Sequence, residues 1–293
     1  MTDGRGVRLL TDLNNIFKRD PNIDEYDVLP VIEPKHNKSP LVVVDHKLGV
    51  ELWCVSILYQ HAYDRLFSWR DKNGGGKFID PVEVGNLCRA VLLVNPECYT
   101  AWNIRKECVE SCTLNIEDDL KLGRLILTKH PKSPETFIHR RWLLQRYINQ
   151  CLIFLPTNQN SSSNNTLIPV QLNTNIQRLV TQEFAVCLHA AEHYPCNYHA
   201  WSHRIWLIQT AYNNSIQVLL TELQKTIIWF AQHVSDHSGF HYRQFLLTSL
   251  MNQSKTLLHK YHIDINDIIT QEFDKTCDLI ACFPGHEALW YHR

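Results

Sequence analysis

The chain has 293 residues, of which 44% are hydrophobic and 20% charged, a balance that excludes wholesale disorder. Lys plus Arg (29) nearly matches Asp plus Glu (30), and a net charge of −1 gives no electrostatic reason for nucleic acid or an anionic membrane as the main partner. No apolar run approaches the ~18 residues of a membrane span, the Met1–Arg5 start lacks a signal-peptide core, and the ten cysteines contain no Cys-x-x-Cys pair, so free thiols in a reducing cytoplasm are expected.

In chain order, Val7, Leu9, Leu10, Leu13, Ile16 and Phe17 fit one face of an amphipathic helix. Residues 1–79 read as a divergent N-terminal helical segment, with a leading unit around Leu48 to Trp69. Asn73-Gly74-Gly75-Gly76-Lys77 lacks the spacing of a phosphate loop, and Phe78 stands where Ser or Thr is needed, so it reads as an inter-helix turn. Asp80-Pro81-Val82-Glu83 then supplies an N-cap, a Pro at the first helical position and a Glu that completes a capping box. Asn115-Ile116-Glu117-Asp118 is a similar helix start.

From residue 80 to 293 one frame recurs five times: an aromatic followed three residues later by Arg. The pairs are Trp102 and Arg105, Phe137 and Arg140, Trp201 and Arg204, Phe240 and Arg243, and Trp290 and Arg293. Four of the five have Pro six residues before the aromatic, where the fourth has Val234. Pro stops the preceding helix, and Ser133, Asn197 and Asp236 are good N-caps, whereas Cys98 and His286 are not. The aromatic and the Arg then share one face of the second helix of a pair. The aromatics are expected in the core and the arginines in a structural role, bonding helix to helix through their fixed fork of donors. Each pair leaves an apolar face that only a neighbour covers, so the expected fold is all-α, an α-α superhelix of helix-pair repeats, a tetratricopeptide-like solenoid. Residues 156–173 form a polar low-complexity insert read as a surface loop, and the last repeat is incomplete at Arg293, so more repeat is expected downstream.

The frame resembles the repeat of protein prenyltransferase α subunits, close to Pro-x-Asn-Tyr-x-Ala-Trp-x-x-Arg, which Pro195-Cys196-Asn197-Tyr198-His199-Ala200-Trp201-Ser202-His203-Arg204 nearly copies. The resemblance spans most of the chain. It implies the α-type subunit of a heterodimeric protein geranylgeranyltransferase, wrapped around a β subunit shared with the Rab-type enzyme. That β subunit would carry zinc, so none is expected in this chain, and it would activate the acceptor thiol as a zinc thiolate. Geranylgeranyl diphosphate would be the co-substrate, and proteins with C-terminal cysteines, a SNARE among them, the acceptors. In the family a lysine five residues before the repeat aromatic can meet the diphosphate leaving group. That slot holds Lys132 in the second repeat and Cys196 in the third, where farnesyl enzymes carry their lysine, so the pattern is nearer the Rab-type enzymes. Tyr198, His199, His203 and Arg204 occupy positions expected at the pocket edge or partner interface. The chain is expected to be inactive alone.

Two rival readings stay open. One is a non-catalytic scaffold that binds helices or peptides in a concave groove. The other is a zinc peptidase, because His189-Ala190-Ala191-Glu192-His193 has the His-x-x-Glu-His spacing, although with 16 histidines in the chain such a match arises easily by chance.

Overall fold

In the computed structural model the described residues are 4–34, 39–71, 80–153 and 174–293. The Gly-rich turn at 73–77 and the polar insert at 156–173 lie outside them. The amphipathic segment forms α1 (Gly4–Arg19), which buries Leu9, Leu10, Leu13 and Ile16, while Val7 stays exposed. The N-terminal segment is not helical throughout. Strands β1 (Glu25–Leu29), β2 (Leu41–Val44) and β3 (Lys47–Glu51) form a small sheet in the order β1-β3-β2, parallel between β1 and β3 and antiparallel between β2 and β3. Alternation of buried Leu48 and Val50 along β3 is a period of two, too short a run beside the following helix to be read from the sequence. Helix α2 (Leu52–Asp71) follows at once.

The repeat is then α3 (Pro81–Val94) with α4 (Tyr99–Glu110), α5 (Ile116–Lys129) with α6 (Pro134–Ile153), α7 (Thr174–His193) with α8 (Tyr198–Tyr212), and α9 (Ile216–Gln232) with α10 (His237–Met251). A short α11 (Lys255–Lys260) precedes α12 (Ile265–Cys282) and α13 (Glu287–His292). The described residues are therefore all-α in class, built from stacked helix pairs, with the sheet as a local addition.

The helix starts behave as their side chains dictate. Asp80, Asn197 and Asp236 accept the backbone N–H of Val82, Ala200 and Gly239, and Ser133 Oγ accepts that of Thr136. Cys98 and His286 make no such bond.

The chain divides into two compact units, residues 1–157 and 158–293. In the first, α2 packs directly on α3, and β1 docks on α5 through Tyr26 N–H to Thr128 Oγ1 (3.1 Å) and an ion pair between Lys129 and Asp27. In the second, α7 pairs with α8, α9 with α10, and α10 lies against α8 and α13. No helix among the described residues is long and apolar enough to cross a membrane.

Candidate functional site

The repeat arginines are buried and hold the helix pairs together. In four repeats the Arg Nη1 reaches back twenty residues to a carbonyl of the preceding helix: Arg105 to Gly85 (2.9 Å), Arg140 to Leu120 (2.5 Å), Arg204 to Phe184 (2.9 Å) and Arg243 to Leu223 (3.0 Å). Arg105 also meets Asp119 of the following repeat, Arg204 meets Glu222 and Arg243 meets Glu272. Each of these acids takes a second bond from the residue just before the next repeat Arg. His139 Nε2 bonds Asp119 (2.6 Å), Tyr242 Oη bonds Glu222 (2.6 Å) and His292 Nε2 bonds Glu272 (2.9 Å). His203 bonds Glu183 in the same way (2.8 Å). The repeat aromatic closes each joint from the other side: Trp102 stacks on His139 (4.4 Å between ring centroids), while Trp201 meets Tyr242 (5.2 Å) and Phe240 meets His292 (5.0 Å) at a tilt.

The electrostatics follow from this packing. Burial drives the His139 imidazole below its usual range against the bond to Asp119. Its Nδ1 is sealed from solvent without a partner, so a second proton there would be an unmatched buried donor. Burial works to raise Asp119, but Arg105 and His139 outweigh it and hold the carboxyl below the usual range. Glu272 is likewise lowered, to about 2, by His292 and Arg243 against burial. Tyr242 is raised well above the usual phenol value, first by burial.

His203 and Arg204, expected at a pocket edge or partner interface, are buried, and both side chains are engaged within the fold. The acids Asp119, Glu183, Glu222 and Glu272, and the partners His139, Tyr242 and His292, were missed. Their signal was present: from the second repeat on, an acid stands twenty residues before the residue that precedes the repeat Arg. Trp102, Phe137, Trp201 and Phe240 lie in the core, whereas Trp290 is half exposed and Arg293 lies exposed against Phe273 and Trp290.

Of the exposed candidates, Lys132 sits on a turn between paired helices, and Tyr198 lies at the start of the second helix of its pair. Lys132 is exposed on the α5–α6 turn, which is pinned from both sides. His130 Nε2 lies 3.1 Å from the Leu93 carbonyl at the end of α3, and Ser133 and Thr136 bond each other in the interior. Tyr198, 62% exposed, opens α8 beside the half-buried His199, with the two rings edge to face at 5.5 Å. Lys132 and Tyr198 belong to different units.

Cys196, in the lysine slot of the third repeat, has a left-handed backbone (φ 53°). Its N–H donates to Asp236 Oδ2 (2.8 Å), and its carbonyl accepts Ser238 Oγ (3.2 Å), so this turn is tied to the next one. His189 and His193 lie ring to ring at 4.1 Å, with His193 Nδ1 bonded to the His189 carbonyl. Among the described residues no group of three or more His, Cys, Asp or Glu could hold a metal ion.

Joints of this kind recur in three stretches that match a known repeat. The chain is 40% identical over 314 residues to the protein prenyltransferase alpha subunit repeat-containing protein 1-A of Xenopus laevis, which covers 98% of this chain and 70% of that one. The chain belongs to the protein prenyltransferase alpha subunit repeat family. The family's repeat model, described as the protein prenyltransferase alpha subunit repeat, matches residues 85–112, 180–211 and 219–250, which are the α3–α4, α7–α8 and α9–α10 pairs. The human protein prenyltransferase alpha subunit repeat-containing protein 1 is 41% identical over 312 residues, covering 98% of this chain and 75% of that one. A more distant family member, the human geranylgeranyl transferase type-2 subunit alpha, is 24% identical over 246 residues, covering 80% of this chain and 36% of that one. The buried Arg–carboxylate joints thus belong to prenyltransferase α-type repeats; Tyr198 and His199 open the second helix of the matched α7–α8 pair, and Lys132 lies on the α5–α6 turn, outside the matched stretches.

Proposed function

We propose that this chain is the α-type subunit of a heterodimeric protein geranylgeranyltransferase. The observation that carries the reading is Lys132, an exposed cation on a turn braced by Ser133, Thr136 and His130, in the family's diphosphate slot. A fixed positive charge at that place would stabilise the negative charge that develops on a diphosphate leaving group as its bond to carbon breaks. The similarity to geranylgeranyl transferase type-2 α subunits supports a geranylgeranyl rather than a farnesyl donor. The partner would be a β subunit of the Rab-type enzyme, the acceptor a protein with C-terminal cysteines such as a SNARE, and the site of action cytoplasmic. Zinc would sit in that β subunit and supply the acceptor thiolate. The part played by this chain would be the charge at Lys132 and the acceptor surface around Tyr198 and His199. On this reading the isolated chain transfers nothing.

One observation favours a second reading, a non-catalytic scaffold. In the third repeat the lysine slot holds Cys196, whose backbone is bound to Asp236 and Ser238 and whose side chain carries no positive charge. Lys132→Ala separates the two readings. In a reconstituted heterodimer the enzyme reading expects turnover to fall by about two orders of magnitude or more, with heterodimer assembly intact. Unchanged turnover contradicts the role of Lys132 and hands the turn to the scaffold reading.

A further inference from the structure

Arg89 lies on α3 where α1 packs against it. Its Nη2 donates to two carboxamide oxygens, Asn14 Oδ1 on α1 (2.9 Å) and Asn86 Oδ1 one turn back on α3 (2.8 Å). Its guanidinium carbon stands 4.2 Å from the centre of the Phe17 ring. Arg105, Arg204 and Arg243 each meet a carboxylate, but no ion pair joins Arg89 to an acid of the described residues. Its Nε is sealed from solvent with no partner at all. Burial, and then repulsion from Arg105, push this guanidinium down to about 9, so it remains charged at neutral pH. A cation taken out of water without a counter-charge is costly, and two amide oxygens with one ring face offset only part of that cost.

The surrounding donors show what would complete the site. Asn14 and Asn86 turn their oxygens to Nη2, which leaves each Nδ2 group without a bond to any of the described residues. Neither Nδ2 group, nor Arg89 Nη1, is among the sealed partnerless atoms, so all three donors reach solvent beside a single positive charge. Arg105, the other cation felt at Arg89, is already paired with Asp119, so one negative charge suffices. We propose that Arg89, Asn14 and Asn86 form a carboxylate-binding site on the α1–α3 face. One carboxylate oxygen accepts from Arg89 Nη1 and the other from a carboxamide Nδ2, a charge-assisted pair fixed by a planar fork. The carboxylate belongs either to a small organic acid or to a Glu or Asp side chain of a protein docked there. This inference is independent of the prenyltransferase reading.

The test uses the full chain with ¹⁵N-labelled Arg and Asn side chains, titrated at constant ionic strength with acetate, blocked glutamate (N-acetyl, C-terminal amide), inorganic phosphate and chloride. Saturable shifts of the Arg89, Asn14 and Asn86 side-chain signals with acetate are expected, with thermal stabilisation relative to chloride. Asn14→Asp keeps Arg89 and supplies an internal carboxylate. It should melt higher without ligand and weaken the acetate response by about tenfold. Blocked glutamate binding at least as well as acetate assigns the site to a protein side chain, and acetate binding alone assigns it to a small acid. Shifts no larger with acetate than with chloride, a stronger response to phosphate, or an unchanged response in Asn14→Asp would overturn the proposal.

Discussion

The joint around Asp119 and the joint around Glu222 are built alike: an Arg from one repeat, an acid from the next, and a ring donor twenty residues past the acid. They differ in the donor, His139 in the first unit and Tyr242 in the second. His139 is held neutral by burial, so between its folded and ordinary values the unfolded chain binds the extra proton. Its contribution is therefore present above about pH 6.5 and is lost as pH falls below that value. Tyr242 has the opposite sign. Its folded value lies well above 10, so its contribution is present below pH 10 and is lost as the unfolded chain ionises above it. One geometry thus serves two chemistries, and what the repeat preserves is a buried acid with two donors rather than a particular ring.

The largest expected effect breaks the feature that the two joints share. Arg105→Met or Arg204→Met leaves a buried carboxylate without its cation and should cost about 3–5 kcal/mol, read as a fall in the urea midpoint of unfolding. A smaller loss is expected where the second unit differs in packing. The position before the repeat aromatic is Ala in the first and third repeats, at Ala101 and Ala200, but Gly239 in the fourth. A Cβ there would meet Phe230 Cε1 at 2.6 Å and Trp229 Cζ3 at 3.0 Å. Gly239→Ala should therefore cost about 1–3 kcal/mol through overpacking, although Ala suits the first and third repeats.

Tyr242→Phe removes one bond to Glu222 while Arg204 keeps its own. A loss of about 1–2 kcal/mol at pH 7 is expected, with a shallower fall in stability above pH 10 than in the parent. His139→Gln keeps a neutral donor, so the difference in urea midpoint between pH 7 and pH 5.5 should shrink relative to the parent. An unchanged difference would place that acid sensitivity on other groups, His130 among them, which burial also lowers. At the far end, Lys132→Ala on the exposed turn should move stability by no more than about 0.5 kcal/mol, a control that separates the turns from the joints.

The helix pairs were legible because Pro, cap and aromatic stand in register. Ser133, Asn197 and Asp236 cap as their side chains require, and Trp102 and Trp201 are sealed in the core. The structural role of the repeat Arg was legible from its recurrence. Its partners Asp119 and Glu222 lie on a neighbouring repeat, and the only mark they carry is the twenty-residue spacing to the ring donor, not their local sequence. His203, close in sequence to the exposed Tyr198, is held in the interior by Glu183, twenty residues away on the first helix of the same pair. The sheet at 25–51 was missed because four- and five-residue strands carry little periodic signal. Arg89 gave no sign at all, since its lack of a counter-ion is visible only once α1 is laid on α3.

The measurement that bears most directly on the proposed function is capture of the Rab-type geranylgeranyltransferase β subunit by the purified chain, followed by transfer of labelled geranylgeranyl from its diphosphate to an acceptor with C-terminal cysteines. The account predicts a stable 1:1 complex that transfers label, and no transfer by either subunit alone. Failure of the two chains to associate, or transfer by this chain without a partner, would contradict it.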